Sequence, residues 1–318
     1  MSNLSIIMCK ALMKAFPAFP KSDDPHLWEV FKTDRYLKGS AEVQIDMRHS
    51  SSFGNFQLEQ DASSSWFVQY FGTRINPDEL KGKVLLDLGS FTGGRLCSWF
   101  ETYQLEKGIG IDINPLFKQA GDEFAKSRGI ENIEFFTGVG EALPFTDNSI
   151  DFIVSTDVFE HVQDLQQVLS ECYRVLKKGG KLLVVFPQYY QPLEAHLGMV
   201  TKMPALHWIF RGDTIAAAYV ELVNSRGEVA KWYAPEAFPL RSWEKLFDLN
   251  GSSIRAFRKI ISQQEWLVLD SLIKPILTDG RKAKKPLFKI LSSILTPLAH
   301  IPYLNELFVG RINYILTK

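Results

Sequence analysis

The residues best able to do chemistry in this chain are two aspartates, Asp87 and Asp112, set 25 positions apart around a glycine-bearing turn. Asp87 lies in Val84 to Gly94, VLLDLGSFTGG, which reads as a buried strand running into a turn and then a helix. Glycine in such a turn lets a ligand approach the backbone, and the start of a helix offers unpaired N–H groups. Asp112 ends the next strand, where a carboxylate can accept both hydroxyls of a ribose. Two strands are thus aimed at one nucleoside. The plainer use of each residue is structural: Asp87 capping the turn, Asp112 capping the helix that begins at Pro115.

Spacing separates the two cofactor classes that use this arrangement. A dinucleotide site wants G-x-G-x-x-G, so that a pyrophosphate sits on the helix start. Here the order is Gly89, Ser90, Phe91, Thr92, Gly93, Gly94, and the middle glycine is missing. A carboxylate at Asp87 suits the ammonium of an amino-acid-bearing nucleoside better than a pyrophosphate, so charge favours S-adenosylmethionine over a nicotinamide. No metal is expected, because there is no H-E-x-x-H and no paired-cysteine spacing, and Glu160-His161 is an isolated pair. Three histidines are candidate general bases: His161 just past the fourth strand, and His196 and His207 in a stretch that also holds Tyr189, Tyr190 and Trp208 as candidate substrate contacts. Each histidine also reads as an ordinary capping or packing residue.

Positioning these residues falls to short β-branched runs alternating with helical segments, the pattern of a parallel sheet built from βαβ units. Strands are expected at Val84–Leu88, Gly108–Ile113, Asn132–Phe136, Ser149–Ser155 and Lys181–Phe186. Helices are expected at Gly93–Tyr103, Pro115–Arg128 and Val162–Leu176, the last closed by Lys177-Lys178-Gly179-Gly180. The alternation stops after Pro187. A helix at Pro235–Leu249 and strands at Ser253–Ile260 and Phe308–Thr317 then complete the pattern. The domain reading is an N-terminal arm and helical cap over 1–82, a nucleoside-binding core over 83–187, a lid insertion over 188–234, a continuation of the core over 235–260, a helical insertion over 261–305 and a final core strand over 306–318.

At these motifs the sequence resembles the class I S-adenosylmethionine-dependent methyltransferases, in particular the group acting on small molecules and lipids. Beside VLLDLGSFTGG, the resemblance is carried by GIGIDINP at Gly108–Pro115, by GVGEALPFTDNSIDFIVSTDVFEHV at Gly138–Val162 and by RVLKKGGKLLVVFP at Arg174–Pro187. It implies a doubly wound, Rossmann-like α/β fold with a seven-stranded sheet whose last strand, Phe308–Thr317, is antiparallel. It implies S-adenosylmethionine as cofactor and a small-molecule or lipid-like acceptor methylated at oxygen. Asp87, Gly89, Ser90, Phe91 and Gly93 would surround the methionine end. Asp112 would hold the ribose with Ile113 against adenine, Glu141 would lie near the adenine, and Thr156 and Asp157 would line the sulfonium side. Two positions depart from the family pattern: Phe91 replaces a usual glycine, and Val139 a frequent aspartate. They keep a catalytically silent cofactor-binding protein, beside a nicotinamide oxidoreductase, as alternatives.

Composition bounds the partners. The 318 residues carry 36 basic and 36 acidic side chains, so a nucleic-acid binder gripping phosphates over its whole surface is not expected. The balance is uneven: Arg281 to Lys318 holds seven basic residues against the single acid Glu306, a net +6 that leaves −6 for the remainder. The segment 281–304 joins this basic cluster to an apolar helical stretch. It reads either as a peripheral membrane contact or as a core-packing helix with a solvated basic turn. Cys9, Cys97 and Cys172 are odd in number and widely spaced, which fits a reducing, cytoplasmic setting. No signal peptide and no membrane span is read. Nothing in the sequence sets the oligomeric state.

Overall fold

The computed structural model describes residues 3–17, 70–72, 74–193, 196–197, 200–224, 244, 249–272, 274–278 and 285–318. Described residues form two compact units. One takes those of Glu29–Phe186, Arg258–Leu272 and Asn313–Lys318, and the other those of Met1–Trp28, Pro187–Phe257 and Ile273–Ile312.

The first unit is built on a sheet. In chain order its elements are β1 (Val84–Leu88), α2 (Gly94–Tyr103), β2 (Lys107–Asp112), α3 (Pro115–Ser127), β3 (Ile133–Thr137), β4 (Ile150–Thr156), α4 (Leu165–Val175) and β5 (Leu176–Pro187), α1 being the N-terminal helix of the other unit. β1 pairs in parallel with β2 and β4, β2 with β3, and β4 with β5. Leu85, Leu86, Ile153, Val154 and Leu182 to Phe186 are all buried without alternation, as strands covered by helices on both faces must be. The covering helices are amphipathic: in α4, Leu165, Val168, Leu169, Cys172 and Val175 are buried at helical spacing, and the Asp164 carboxylate caps the helix by accepting from Gln167 N at 3.0 Å.

The sheet closes in the order β3-β2-β1-β4-β5-β8-β6, where β6 is Leu267–Ser271 and β8 is Val309–Thr317. β8 runs antiparallel to β6, with Leu267 opposite Thr317. It is antiparallel to β5 as well, because Gly179 N donates to Lys318 O while Gln188 N donates to Gly310 O. The doubly wound α/β fold and its antiparallel last strand are therefore present. An eighth, two-residue strand, β7 (Lys274–Pro275), joins the seven expected by pairing beside the start of β8.

Three sequence expectations are corrected. Ser253–Ile260, expected as a strand, is helical: α7 spans Ile254–Ser262. Ile254, Phe257 and Ile261 are buried while Arg255, Arg258 and Lys259 are exposed, a period that suits a helix and not a strand. Its N-terminus is doubly capped, with Ser253 Oγ accepting from Ala256 N and the Glu306 carboxylate accepting from Ile254 N at 3.1 Å and Arg255 N at 2.7 Å. The strand expected there is supplied instead by β6, within the segment read as a helical insertion. It is an edge strand whose Leu267, Val268 and Leu269 are exposed, so its apolar run carries no alternation to reveal it. Lastly, α4 stops at Val175. The Lys177–Gly180 run expected to end that helix lies inside β5, with Gly179 at φ +78° and Lys177 Nζ paired to Asp151 Oδ2 at 2.7 Å. The helix expected at Pro235–Leu249 falls outside the described residues except for Glu244 and Leu249.

In the second unit, α1 (Asn3–Ala15) packs Cys9 and Met13 against Ile215, Ala216, Ala218, Tyr219 and Leu222 of α6 (Gly212–Asn224), with Leu206 of the one-turn α5 (Leu206–Ile209) in the same cluster. The chain after α1 is pinned where Thr201 Oγ1 and Lys202 N both donate to Phe16 O. This unit also contains α8 (Pro286–Ala299) and α9 (Asn305–Phe308). Cys9, Cys97 and Cys172 are all buried, free thiols; burial pushes Cys9 up to about 11 and Cys97 up to about 12. Among the described residues, no helix is long and apolar enough to cross a membrane.

Arg74 ties the chain ahead of β1 to the closing strands. Its Nη1 pairs with Asp270 of β6 at 3.2 Å, and its Nη2 donates to Asn313 Oδ1 of β8 at 2.8 Å and to Tyr70 O. Asn313 is wholly buried. Arg74→Ala is therefore expected to lower unfolding stability by about 2 kcal/mol, the cost of leaving a buried amide oxygen without its charged donor. A urea midpoint unchanged from the parent would refute this.

Candidate functional site

The C-terminal ends of β1, β2 and β4 bring most of the expected residues to one edge of the sheet. After β1 the chain turns through Gly89 at φ +82° and Gly93 at φ +78° before α2 begins. Both need glycine twice over, for the left-handed backbone and for space, since a Cβ on Gly89 would overlap Val158 and one on Gly93 would overlap the ring of Phe135. Gly89 N and Ser90 N donate to Ile111 O at 2.8 and 3.1 Å, so the turn hangs on the end of β2.

Asp112 completes this attachment. Its Oδ2 accepts from Phe91 N at 3.1 Å and its Oδ1 from Asn114 N at 3.0 Å. Burial raises its pKa above the ordinary aspartate value, opposed by the N–H donors of Asn114, Phe91 and Ile113. A carboxylate has about four lone-pair sites, more than these three donors fill, so the capping use and the ribose use of this group are compatible. Ile113, next along, leaves its side chain 69% exposed, an apolar surface of the kind a nucleobase covers, and Val139 past the neighbouring β3 is exposed as well.

Phe91 departs from glycine at a measurable cost. It sits at φ +51°, a conformation disfavoured by about 1–2 kcal/mol for a residue with a Cβ. Its ring lies 4.2 Å from that of Phe117 in α3, a contact worth about 0.5–1.5 kcal/mol beyond its burial. The two effects are of similar size, and the hydrogen bonds of the turn survive the substitution.

Asp87 is buried in β1, and Ser155 at the end of β4 donates to Leu88 O at 3.1 Å, fixing the two strand ends together. The next residue, Thr156, is buried with a hydroxyl that has no hydrogen-bond partner among the described residues, as does Thr92 in the first turn. A buried hydroxyl normally finds a partner, so both mark places where a polar ligand fits. Asp157 follows at φ +55°, exposed, its N–H held by Val185 O at 2.9 Å. His161 ends the turn, partly buried, with Nε2 3.6 Å from Glu160 Oε1.

Glu141 has a positioning task. Its carboxylate accepts from Gln163 N at 2.8 Å and Asp164 N at 3.2 Å, tying the loop after β3 to the start of α4. Sequence reading missed the partner of this clamp, Arg174. Its guanidinium donates to Leu143 O and Phe145 O and pairs with Asp147 and Glu171, holding Glu171 below the usual glutamate range. The signal was present, since Arg174 opens the quoted RVLKKGG run. Thr92 was likewise passed over inside the glycine turn.

The remaining expected residues belong to the second unit. Tyr189 and Tyr190 meet edge to face at 5.0 Å, His207 lies 6.2 Å from Tyr189 and 6.1 Å from Trp208, and Trp208 Nε1 donates to Tyr190 O at 2.8 Å. Tyr189 OH donates to Glu244 Oε1 at 2.7 Å, and burial with that carboxylate raises its pKa. Burial lowers the pKa of His207. His196 is partly buried at φ +55°.

Residues 86–184 match the family described as "Methyltransferase domain". Over 108 residues the chain is 33% identical to YcgJ of Bacillus subtilis (strain 168), an uncharacterized methyltransferase, covering 34% of this chain and 41% of that protein. Over 140 residues it is 33% identical to the ubiquinone/menaquinone biosynthesis C-methyltransferase UbiE of Escherichia coli, covering 43% and 55%. The chain thus spans about half the length of these relatives. Among solved structures, YcgJ from Bacillus subtilis aligns with a TM-score of 0.41 at 21% identity over 78% of this chain and 95% of that one. An S-adenosylmethionine-dependent methyltransferase from Mesorhizobium loti aligns with a TM-score of 0.48 at 13% identity over 76% and 93%.

Asp112 yields a pH prediction. Ribose hydroxyls donate to the ionised carboxylate, so protonation competes with an adenosyl ligand. Because the pKa of Asp112 is raised, affinity should fall on acidification at a pH above the ordinary aspartate range. Asp112→Asn should bind an adenosyl ligand at least about tenfold more weakly at neutral pH, the worth of one hydrogen bond to a charged group, and should lose that acid limb. Calorimetric titration across pH checks both, and an acid limb of unchanged size in the variant would remove Asp112 from the site.

Proposed function

With residues 86–184 matching the family described as "Methyltransferase domain", we propose that the chain is a class I S-adenosylmethionine-dependent methyltransferase that binds S-adenosylmethionine and passes its methyl group to a small-molecule acceptor bearing an apolar body, at an oxygen atom. The observation that carries this reading is the convergence on one sheet edge of buried Asp87, Asp112, exposed Ile113 and the Thr156 hydroxyl, which has no hydrogen-bond partner among the described residues. When bound, S-adenosylmethionine supplies a methyl carbon on a cationic sulfur that departs as a neutral thioether without needing a proton.

The work left to the chain is placement. Asp112 would accept from the ribose hydroxyls, Ile113 and Val139 would cover the adenine, and Asp87 would face the ammonium. Gly89, Ser90, Phe91 and Gly93 would surround the methionine end, and Thr156 and Asp157 the sulfonium side. Positioning of this kind supplies up to about 7–11 kcal/mol of a displacement barrier. For the acceptor we assign the insertion 188–234, with Tyr189, Tyr190 and Trp208 as contacts. A general base adds about 10²–10⁴-fold when a hydroxyl must lose its proton. We take His207 as the candidate base, in the same stretch as Tyr189, Tyr190 and Trp208; burial lowers its pKa. His196 and His161 are the other candidates. Methylation at carbon is the second reading, favoured by the likeness to UbiE, a C-methyltransferase.

Calorimetric titration should give saturable binding of S-adenosylmethionine and none of NAD; heat with NAD alone would overturn the assignment. In extracts supplied with ¹³C-methyl cofactor, the chemical shift of the transferred methyl distinguishes an oxygen from a carbon acceptor. His207→Ala should leave cofactor affinity unchanged and slow turnover by about 10²-fold or more. Turnover equal to the parent would pass the role to His196 or His161.

A further inference from the structure

Outside the nucleoside site, the feature left unexplained is the outer face of α8. Leu287, Ile290, Leu291 and Ile294 are 71, 62, 40 and 61% exposed. Their spacing of i, i+3, i+4 and i+7 sets them within one narrow arc of the helix. Of the whole helix only Ala299 is buried. Serine and threonine side chains of α8 are satisfied internally, Ser292, Ser293 and Thr296 each donating to a carbonyl three or four residues back, so the exposed surface offers little but hydrocarbon. Beyond the helix end, Ile301 and Tyr303 are exposed as well, the latter with the Arg255 guanidinium 5.8 Å from its ring centre. A stripe of this kind on a monomer's surface marks an interaction site.

Charge selects the occupant. Lys285 caps the helix and Lys289 lies in its first turn, both exposed. Arg281, Lys282 and Lys284 immediately precede them in sequence, and no acidic residue occurs from Arg281 to Asn305. The segment thus joins an apolar helix face to a cluster of cations that no neighbouring acid in the sequence neutralises. An anionic lipid surface accepts both halves of the pattern, hydrocarbon below the headgroups and phosphate at their level. With 14 residues α8 is roughly 21 Å long, short of the roughly 30 Å hydrocarbon core, so it is suited to lie in the interface and not to span it.

We propose that α8 docks the protein on anionic phospholipid membranes, its Leu287–Ile294 stripe inserted below the headgroups and Lys285 and Lys289 paired with lipid phosphates. The core-packing alternative for this segment is disfavoured by the exposure of the stripe. Docking of this kind does not depend on the methyl-transfer reading, and its test does not use activity.

The full chain should co-sediment with phosphatidylglycerol-containing vesicles at low salt and release as salt rises, and should show little binding to pure phosphatidylcholine vesicles. Ile290→Asp with Ile294→Asp should reduce partitioning by at least about tenfold, and Lys285→Glu with Lys289→Glu by a similar factor at low salt. Both pairs replace exposed side chains, so thermal unfolding should match the parent. Failure of the parent to bind phosphatidylglycerol vesicles would overturn the proposal, as would vesicle binding that both double variants retain. A dimer in sedimentation equilibrium that the Ile290/Ile294 variant abolishes, with no vesicle binding, would replace the membrane by a second copy.

Discussion

The candidate site depends on one carboxylate holding two turns. Asp112 accepts Phe91 N with one oxygen and Asn114 N with the other, so the loop after β1 and the loop after β2 share an anchor. Without it the attachment of the glycine turn to β2 would rest on the two backbone bonds to Ile111 O. The group is partly buried, and the N–H donors around it are what make its ionised form tolerable there. A residue whose plainer reading was a cap is therefore a cap, and its remaining lone pairs are the ones available to a ribose. Structural and ligand-binding uses of an aspartate are alternatives only when its acceptor capacity is exhausted.

The same economy explains the two departures from the family pattern. Phe91 takes a backbone conformation glycine would adopt freely, and its stacking on Phe117 offsets a strain of similar size. Val139 brings no acceptor for an adenine amino group, but it leaves an exposed apolar side chain one strand over from exposed Ile113. Nucleobase recognition on this edge would rest more on apolar contact and less on hydrogen bonding.

Much of the first unit was legible because its signals are local or periodic. β1 was read to the residue, and β2, β3, β4 and the helices between them to within a few positions, since buried strands flanked by amphipathic helices announce themselves by composition. Legibility failed where a tertiary partner decides the state. Ser253–Ile260 carries β-branched residues that suit a strand, but Glu306, some fifty positions away, caps the amides of Ile254 and Arg255 and commits the segment to a helix. β6 exists because β8 pairs with it, and its exposed Leu267–Leu269 run has no pattern of its own.

The sequence alone determined the order of the motifs, the parallel βαβ core, the carboxylates at the ends of β1 and β2, and the charge asymmetry that concentrates cations after Arg281. These are properties of neighbours along the chain, or of periods that a strand or helix imposes by its own geometry. Only the tertiary structure decided that Asp112 joins two turns, that Glu141 and Arg174 clamp a loop, that Thr156 is buried without a hydrogen-bond partner among the described residues, and that the apolar stripe of α8 faces outward. Each of these turns on which distant backbone donor, ring or solvent a side chain meets, and that is fixed by packing between segments far apart in sequence.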